Sequence, residues 1–319
     1  MKVLIVYNHF YDNVPLGFYR YIHQELLKYP IPEIDLYRLE IPADDRKPVD
    51  LSKYEGFDAV VNLCPHTNEV VNKTTQKVFY FLDDMHSKDG NYENYFRMTE
   101  IADYLLCTYK YSPFVQEKWR DHLHKMIWFP HFAYPFIVRR PPVRLRIGVA
   151  GILNEKEYPF RVAMQKKFDA NTFEHPGYDP KTVDKSKINE GFYKWLANFK
   201  FSVASGGGER KYIISKYFEI PFVKSILIGE DVGWGLSELG FKNGVNCYLL
   251  KKEEIDDFKL NYDYSIAMEG YKLVSRHHMV GNRVQMLIRI LDRLYSKGSI
   301  PYDFDLKLIR GDLSGKKVD

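Results

Sequence analysis

Short apolar runs recur along this chain, each followed by a polar loop and then a segment with helical spacing. Residues 2–7, 34–39, 59–63, 78–82, 104–108 and 126–129 read as strands. Strands this short and this apolar belong in a parallel sheet buried on both faces. Between them lie helical segments. Residues 16–28 carry Phe18, Ile22, Leu26 and Leu27 on one face, with Pro30 as a stop. A later helix starts at Ser112 as N-cap and Pro113 in first position. Strand, crossover helix, strand is the signature of an α/β fold with helices on both faces of the sheet.

The alternation stops once. Arg139-Arg140-Pro141-Pro142 reads as an extended linker. Beyond it the pattern restarts, with strands at 146–150, 171–173, 201–204 and 225–229. Helical spacing is seen in 158–168, in the set Ile188, Phe192, Trp195, Leu196 and Phe199, and through Ile213, Ile214, Tyr217 and Phe218. The end is helical, over 263–276 and through Val284, Leu287, Ile288, Leu291 and Leu294. At 319 residues the chain is long for one domain. The reading is therefore two doubly wound α/β domains, residues 1–138 and 139–319, facing each other across a cleft. It leaves room for the last helix to pack back on the first domain.

Composition narrows the function classes. Lys plus Arg is 46 and Asp plus Glu is 42, a formal net charge of +4. That balance argues against a nucleic-acid partner. No apolar run is long enough to span a membrane, and the first run is too short for a signal peptide. The expectation is a soluble cytoplasmic protein. Cys64, Cys107 and Cys247 are odd in number and form no C-x-x-C pair. They read as buried thiols of a reducing compartment.

In open α/β sheets ligands bind beyond the carboxyl ends of the strands. The strongest feature in such a place is Ser205-Gly206-Gly207-Gly208-Glu209-Arg210-Lys211. Three glycines let backbone approach an anion, a helix start would add free N–H groups, and Arg210 and Lys211 add cations. The spacing fits neither a P-loop nor the G-x-G-x-x-G fingerprint, so no redox dinucleotide is indicated. Glu219, late on the following helix, could accept both hydroxyls of a ribose or simply lie on the surface before Pro221. The loop Glu174-His175-Pro176-Gly177-Tyr178 offers an imidazole and an aromatic ring suited to a nucleobase. In the first half, Asp12 follows the first strand, and Asp84 and His86 follow the fourth. These three are the candidate general bases, with helix capping the competing role for the aspartates. No metal-ligand spacing is apparent. His277-His278 reads as a solvated face.

The stretch from Lys216-Tyr217-Phe218-Glu219-Ile220-Pro221 through Glu238-Leu239-Gly240-Phe241-Lys242-Asn243-Gly244-Val245-Asn246 resembles the C-terminal domain of group 1 glycosyltransferases, in particular the CgeB-like branch. The end of the first half, Ile127-Trp128-Phe129-Pro130-His131-Phe132, also fits. The resemblance implies the GT-B fold of two Rossmann-like domains. It implies transfer of a sugar from a nucleoside-diphosphate-sugar to a hydroxyl of a glycan or other small acceptor, with no cofactor and no required metal. It further implies ribose binding by Glu219, diphosphate contact by residues 206–211 and Lys216, and base recognition near His175 and Tyr178. Many retaining members carry two glutamates with seven residues between them. Counted back from Glu219, the first position is Lys211, so that pattern is absent and the stereochemical outcome stays open. A nucleotide-sugar epimerase or hydrolase of the same fold, and a non-catalytic two-domain binding protein, are the competing readings.

Overall fold

The computed structural model describes residues 1–12, 17–29, 33–64, 67–83, 92–142, 144–177, 179 and 181–315. The chain divides into two compact units. Met1–Lys110, Val115–Pro130 and Arg283–Leu306 form the first, and Tyr111–Phe114, His131–Asn282 and Lys307–Asp319 form the second.

The strands of the first unit are β1 (Lys2–Asn8), β2 (Asp35–Ile41), β3 (Val49–Asp50), β4 (Ala59–Asn62), β5 (Val70–Val71), β6 (Lys77–Leu82), β7 (Tyr104–Cys107) and β8 (Met126–Trp128). Six of them make one sheet in the order β2-β1-β4-β6-β7-β8, while β3 pairs only with β5. In the second unit β9 (Leu145–Ala150), β10 (Asn171–Phe173), β11 (Phe199–Ala204), β12 (Ile226–Glu230) and β13 (Tyr248–Leu250) make a sheet in the order β10-β9-β11-β12-β13. Every pairing in both sheets is parallel. The helices are α1 (Gly17–Leu26), α2 (Tyr92–Ile101), α3 (Pro113–Lys118), α4 (Pro159–Phe168), α5 (Glu190–Ala197), α6 (Lys216–Phe222), α7 (Trp234–Glu238), α8 (Tyr264–His277), α9 (Val280–Lys297) and α10 (Phe304–Ser314). Each sheet is thus the doubly wound, Rossmann-like α/β arrangement expected from the strand and helix alternation.

Both sheets reverse in the same way. The chain leaves the first strand to build one neighbour, then returns to build on the other side. The reversal falls between β1 and β4 in the first sheet and between β9 and β11 in the second. These switch points part the connecting loops at the carboxyl ends of the strands, where a ligand can enter.

The apolar runs seen in the sequence fill the two cores. Val3, Leu4, Ile5, Val6, Val60, Val61, Phe79, Phe81, Leu105 and Leu106 are buried in the first. Ile147, Val149, Phe160, Met164, Phe201, Val203, Ile226 and Ile228 cluster in the second. Each such side chain contributes roughly 1.5–3 kcal/mol on burial. The three cysteines are free and buried, and burial pushes the Cys107 and Cys247 thiols up to about 12. They are packing residues. Among the described residues no helix is long and apolar enough to cross a membrane.

A buried ion pair fastens the start of α10 within the first unit. Lys110 Nζ lies 2.6 Å from Asp305 Oδ2, and the backbone N–H of Trp128 donates to the same oxygen at 2.6 Å. Lys110 Nζ also donates to the Tyr302 carbonyl at 3.0 Å. Loss of one partner of such a pair costs about 3–5 kcal/mol, because the other charge stays buried.

Three local expectations are corrected. Phe199 is not the end of a helix but the first residue of β11, since α5 stops at Ala197. The triglycine loop does not open a helix directly. A single 3₁₀ turn, Gly208–Arg210, follows it, and α6 starts only at Lys216, so Ile213 and Ile214 precede the helix. His278 is not on a solvated face. It is buried beyond the end of α8, its Nε2 lies 2.7 Å from the Leu239 carbonyl, and its ring stacks on Phe241.

Candidate functional site

The second switch point is built from four segments. After β9 the chain turns at Gly151, whose φ of +103° no L side chain adopts easily. A Cβ there would also stand 2.7 Å from Arg161 Nη1. Arg161 lies on the first turn of α4 and folds back to the end of its own strand. It donates from Nη1 to the Ile152 carbonyl at 2.8 Å, and its guanidinium sits 4.1 Å above the Tyr158 ring. The residue is only 3% exposed, yet its Nε has no hydrogen-bond partner among the described residues. Burial lowers its pKa, and the ring of Tyr158 and the Glu230 carboxylate oppose the shift. A guanidinium held this way pays a desolvation cost that a bound anion would offset.

The triglycine loop follows β11, the neighbouring strand. Its shape is set by Glu230 at the end of β12, itself 3% exposed. Ser205 Oγ and the Gly206 N–H donate to Glu230 Oε2 at 2.9 and 2.8 Å, and Lys211 Nζ donates to Oε1 at 2.9 Å. Tyr217 Oη donates to the Glu230 carbonyl at 2.6 Å. Gly206 has no room for a side chain, because a Cβ would stand 2.3 Å from Val232 Cγ1. Gly207 and Gly208 both take positive φ. Lys211 is therefore the partner of a buried carboxylate. Glu209 is exposed, and the half-buried Arg210 makes no side-chain hydrogen bond among the described residues.

α6 brings Lys216 and Glu219. Ser215 Oγ donates to Glu219 Oε2 at 3.1 Å. Burial pushes the Glu219 carboxyl up, against the pull of Lys216, the Ser215 hydrogen bond and His131. Lys216 makes no hydrogen bond among the described residues, and its ammonium lies 5.7 Å from the Phe192 ring centroid. Burial first and then Arg161 push its pKa down to about 8, with Glu219 opposing.

His175, beyond β10, feels the same field. Burial, then Lys216, then Arg161 push it down to about 4, so it is neutral near pH 7. The Gly177 N–H donates to its Nδ1 at 3.1 Å, which fixes the proton on Nε2. Tyr178 lies outside the described residues. Arg161 thus acts on Lys216, and both act on His175, at a single switch point beside the triglycine loop. Two buried cations in such a place suit an anion, and a carboxylate, Glu219, stands on the same helix as Lys216.

In the first unit Asp12 is placed, while Asp84 and His86 lie outside the described residues. Asp12 is not a free carboxylate. Tyr7 Oη donates to its Oδ1 at 2.7 Å, and His9 Nδ1 lies 2.7 Å from its Oδ2. Arg20 Nε is 3.5 Å from Oδ1. Glu40 stands 3.7 Å from His9 Nε2 and 3.6 Å from His23 Nε2. The carboxylate orients the half-exposed His9 imidazole.

Sequence reasoning missed Arg161, Glu230 and His9. Nothing local distinguishes Glu230 from any strand-ending glutamate.

No family model matches the sequence, and no curated protein matches it. Solved structures do share its layout. Among them are glycosyltransferases and UDP-N-acetylglucosamine 2-epimerases. The pneumococcal O-GlcNAc transferase GtfA, solved with UDP and GlcNAc, is 9% identical with a TM-score of 0.45, over 75% of this chain and 57% of that one. This chain thus spans little more than half of GtfA. UDP-GlcNAc 2-epimerase from Methanocaldococcus jannaschii is 12% identical with a TM-score of 0.41, over 92% of this chain and 99% of that one. The calicheamicin glycosyltransferase CalG4 is 9% identical with a TM-score of 0.39, over 93% and 99%. At such values the likeness concerns layout and says nothing of residues.

Proposed function

We propose that this chain is a GT-B-type glycosyltransferase of the group 1, CgeB-like kind, which takes a sugar from a nucleoside diphosphate and passes it to a hydroxyl. One observation carries the reading: at the β9/β11 switch point, a buried Arg161 with an unpartnered Nε adjoins Lys216, which makes no hydrogen bond among the described residues, and the triglycine turn. Two cations and a run of backbone N–H groups suit a diphosphate. Glu219 would accept the ribose hydroxyls, and the neutral His175 would donate from Nε2 to the base or ribose.

In this reading Arg161, Lys216, Arg210 and the amides of Gly207 and Gly208 stabilise the charge that builds on the leaving diphosphate, while the Gly206 amide stays on Glu230. Lys211 and Glu230 position the loop rather than touch the ligand, and Glu209 stays in solvent. The base that receives the acceptor proton is His9, held by Asp12, with Asp84 and His86 as the other candidates. The domain division at residues 138 and 139 remains part of the proposal, as does a cytoplasmic setting.

The test is a thermal-shift screen with UDP, GDP, dTDP and CDP and their sugars, followed by product analysis. A native-state ligand raises the melting temperature by mass action. Stabilisation by a diphosphate but not by its nucleoside supports the site. Turnover that needs an added acceptor supports transfer. An epimer or free sugar formed from the donor alone would make the chain an epimerase or hydrolase, and binding without turnover would make it a binding protein.

A further inference from the structure

We propose that the amino-terminal edge of the second sheet, the end away from the switch point, docks on an anionic lipid bilayer. The segment Phe136-Ile137-Val138-Arg139-Arg140-Pro141-Pro142-Val143-Arg144-Leu145-Arg146 holds four arginines and no acidic residue. Ile137 is 95% exposed and Leu145 51% exposed, so aliphatic surface faces outward among these cations. Arg144 ties the segment down, donating from Nε to the Ala197 carbonyl at 3.1 Å and from Nη1 to the Lys224 carbonyl at 2.9 Å.

Pairing of β9 with β11 sets Phe199 against Leu145 and Phe201 against Ile147, which puts Arg146 and Lys200 side by side. Both are exposed. Lys200 Nζ lies 5.6 Å from the Tyr262 ring centroid, and the Arg146 guanidinium 5.9 Å from that of Phe168. Tyr264, two residues on, is 52% exposed. The acids nearby are Asp169 after α4, the exposed Asp256 and Asp257 beside Phe258, whose ring packs on Phe168, and Asp263 before α8, whose carboxylate is engaged by Ser265.

Basic side chains, tyrosines and outward aliphatic groups together match a bilayer interface. Arginine and lysine meet anionic headgroups, tyrosine rings sit at their level, and an isoleucine enters the acyl boundary. An acidic polymer would reward the cations but not Ile137. The surface lies at the opposite strand ends from the anion receptor, so the proposal stands whether or not the transferase reading holds.

Cosedimentation of the whole chain with sucrose-loaded vesicles decides it. The vesicles are phosphatidylcholine alone, or phosphatidylcholine with roughly a third phosphatidylglycerol. We expect binding to the anionic vesicles only, weakened by high salt. The combined change Arg139→Glu, Arg146→Glu and Lys200→Glu should lower partitioning at least about hundredfold, from the loss of three surface cations. Ile137→Ser should lower it by about fivefold. All four positions are exposed, and an unchanged melting temperature confirms that the variants fold. Equal binding to both vesicles, or a triple variant that binds like the wild type, overturns the proposal. So does tight binding of single-stranded RNA with no sedimentation on either vesicle, which would assign the surface to nucleic acid.

Discussion

The two switch points share a topology and differ in chemistry. At the first, buried asparagines close the opening. Asn8 Nδ2 donates to Asn68 Oδ1 at 2.7 Å and to the Asp45 carbonyl at 2.9 Å, and Asn62 Nδ2 donates to the Asn68 carbonyl at 2.9 Å. Asn68 Nδ2 donates in turn to the Asp45 and Lys47 carbonyls. The amides satisfy one another and hold the loops. At the second, Arg161 Nε and the Lys216 ammonium have no such partners among the described residues. Topology offers a crevice at both points, and the two differ in whether their buried donors are satisfied.

The sharpest way to break this comparison is to remove the open guanidinium. Arg161→Met keeps the bulk and takes away the charge. We expect UDP affinity to fall about hundredfold, as one or two charge-assisted hydrogen bonds are lost, with no change for uridine. Calorimetric titration of both ligands checks it, and equal losses for the two would remove Arg161 from the phosphate position. The converse change is Asn68→Ala in the closed switch point. Leaving buried amides unpaired should cost about 2 kcal/mol in urea unfolding and leave UDP affinity alone. A variant that folds but binds UDP more weakly would erase the distinction between the two points.

A pH series sharpens the comparison further. With its pKa pushed down to about 8, Lys216 is mostly protonated at pH 7 and mostly neutral at pH 9. UDP affinity should drop about tenfold over that range, and Lys216→Met should flatten the profile. The sign for folding is opposite to that of a favourable ion pair. The folded pKa lies below the unfolded value of 10.5, so the native state binds fewer protons between about 8 and 10.5. The cost is present in full below about 8 and disappears as pH rises through the unfolded value. A bound anion offsets it, so ligand-induced stabilisation should be greatest on the acid side. The smallest effect is expected from Glu219→Ala, about tenfold or somewhat less for a ribonucleotide and none for its 2′,3′-dideoxy analogue. Identical losses for both sugars would make Glu219 a structural residue.

Much of the fold was legible because the strands are buried on both faces, so runs such as Val3–Val6 and Ile226–Ile228 are apolar at every position. Elements without that property were not. The two-residue strands β3 and β5 carry no pattern, and β13 is too short to stand out. Phe199 follows a helix so closely that its ring extends the helical spacing. The site was half legible. Glycines after a strand announce a close backbone approach, and Gly206 makes one. What Lys211 does was not legible, since its partner Glu230 lies 19 residues away and meets it only through sheet pairing. Arg161 was not legible either, since nothing in a helical repeat reveals that one side chain turns back to the end of its own strand.

A crystal soaked with a nucleoside-diphosphate-sugar would be decisive. We expect a phosphate oxygen within about 3.2 Å of Arg161 Nε, a second near Lys216 Nζ, and the pyrophosphate lying against the Gly207 and Gly208 amides. A nucleotide seated elsewhere, with Arg161 Nε still unpartnered, would contradict the assignment of the second switch point as the donor site.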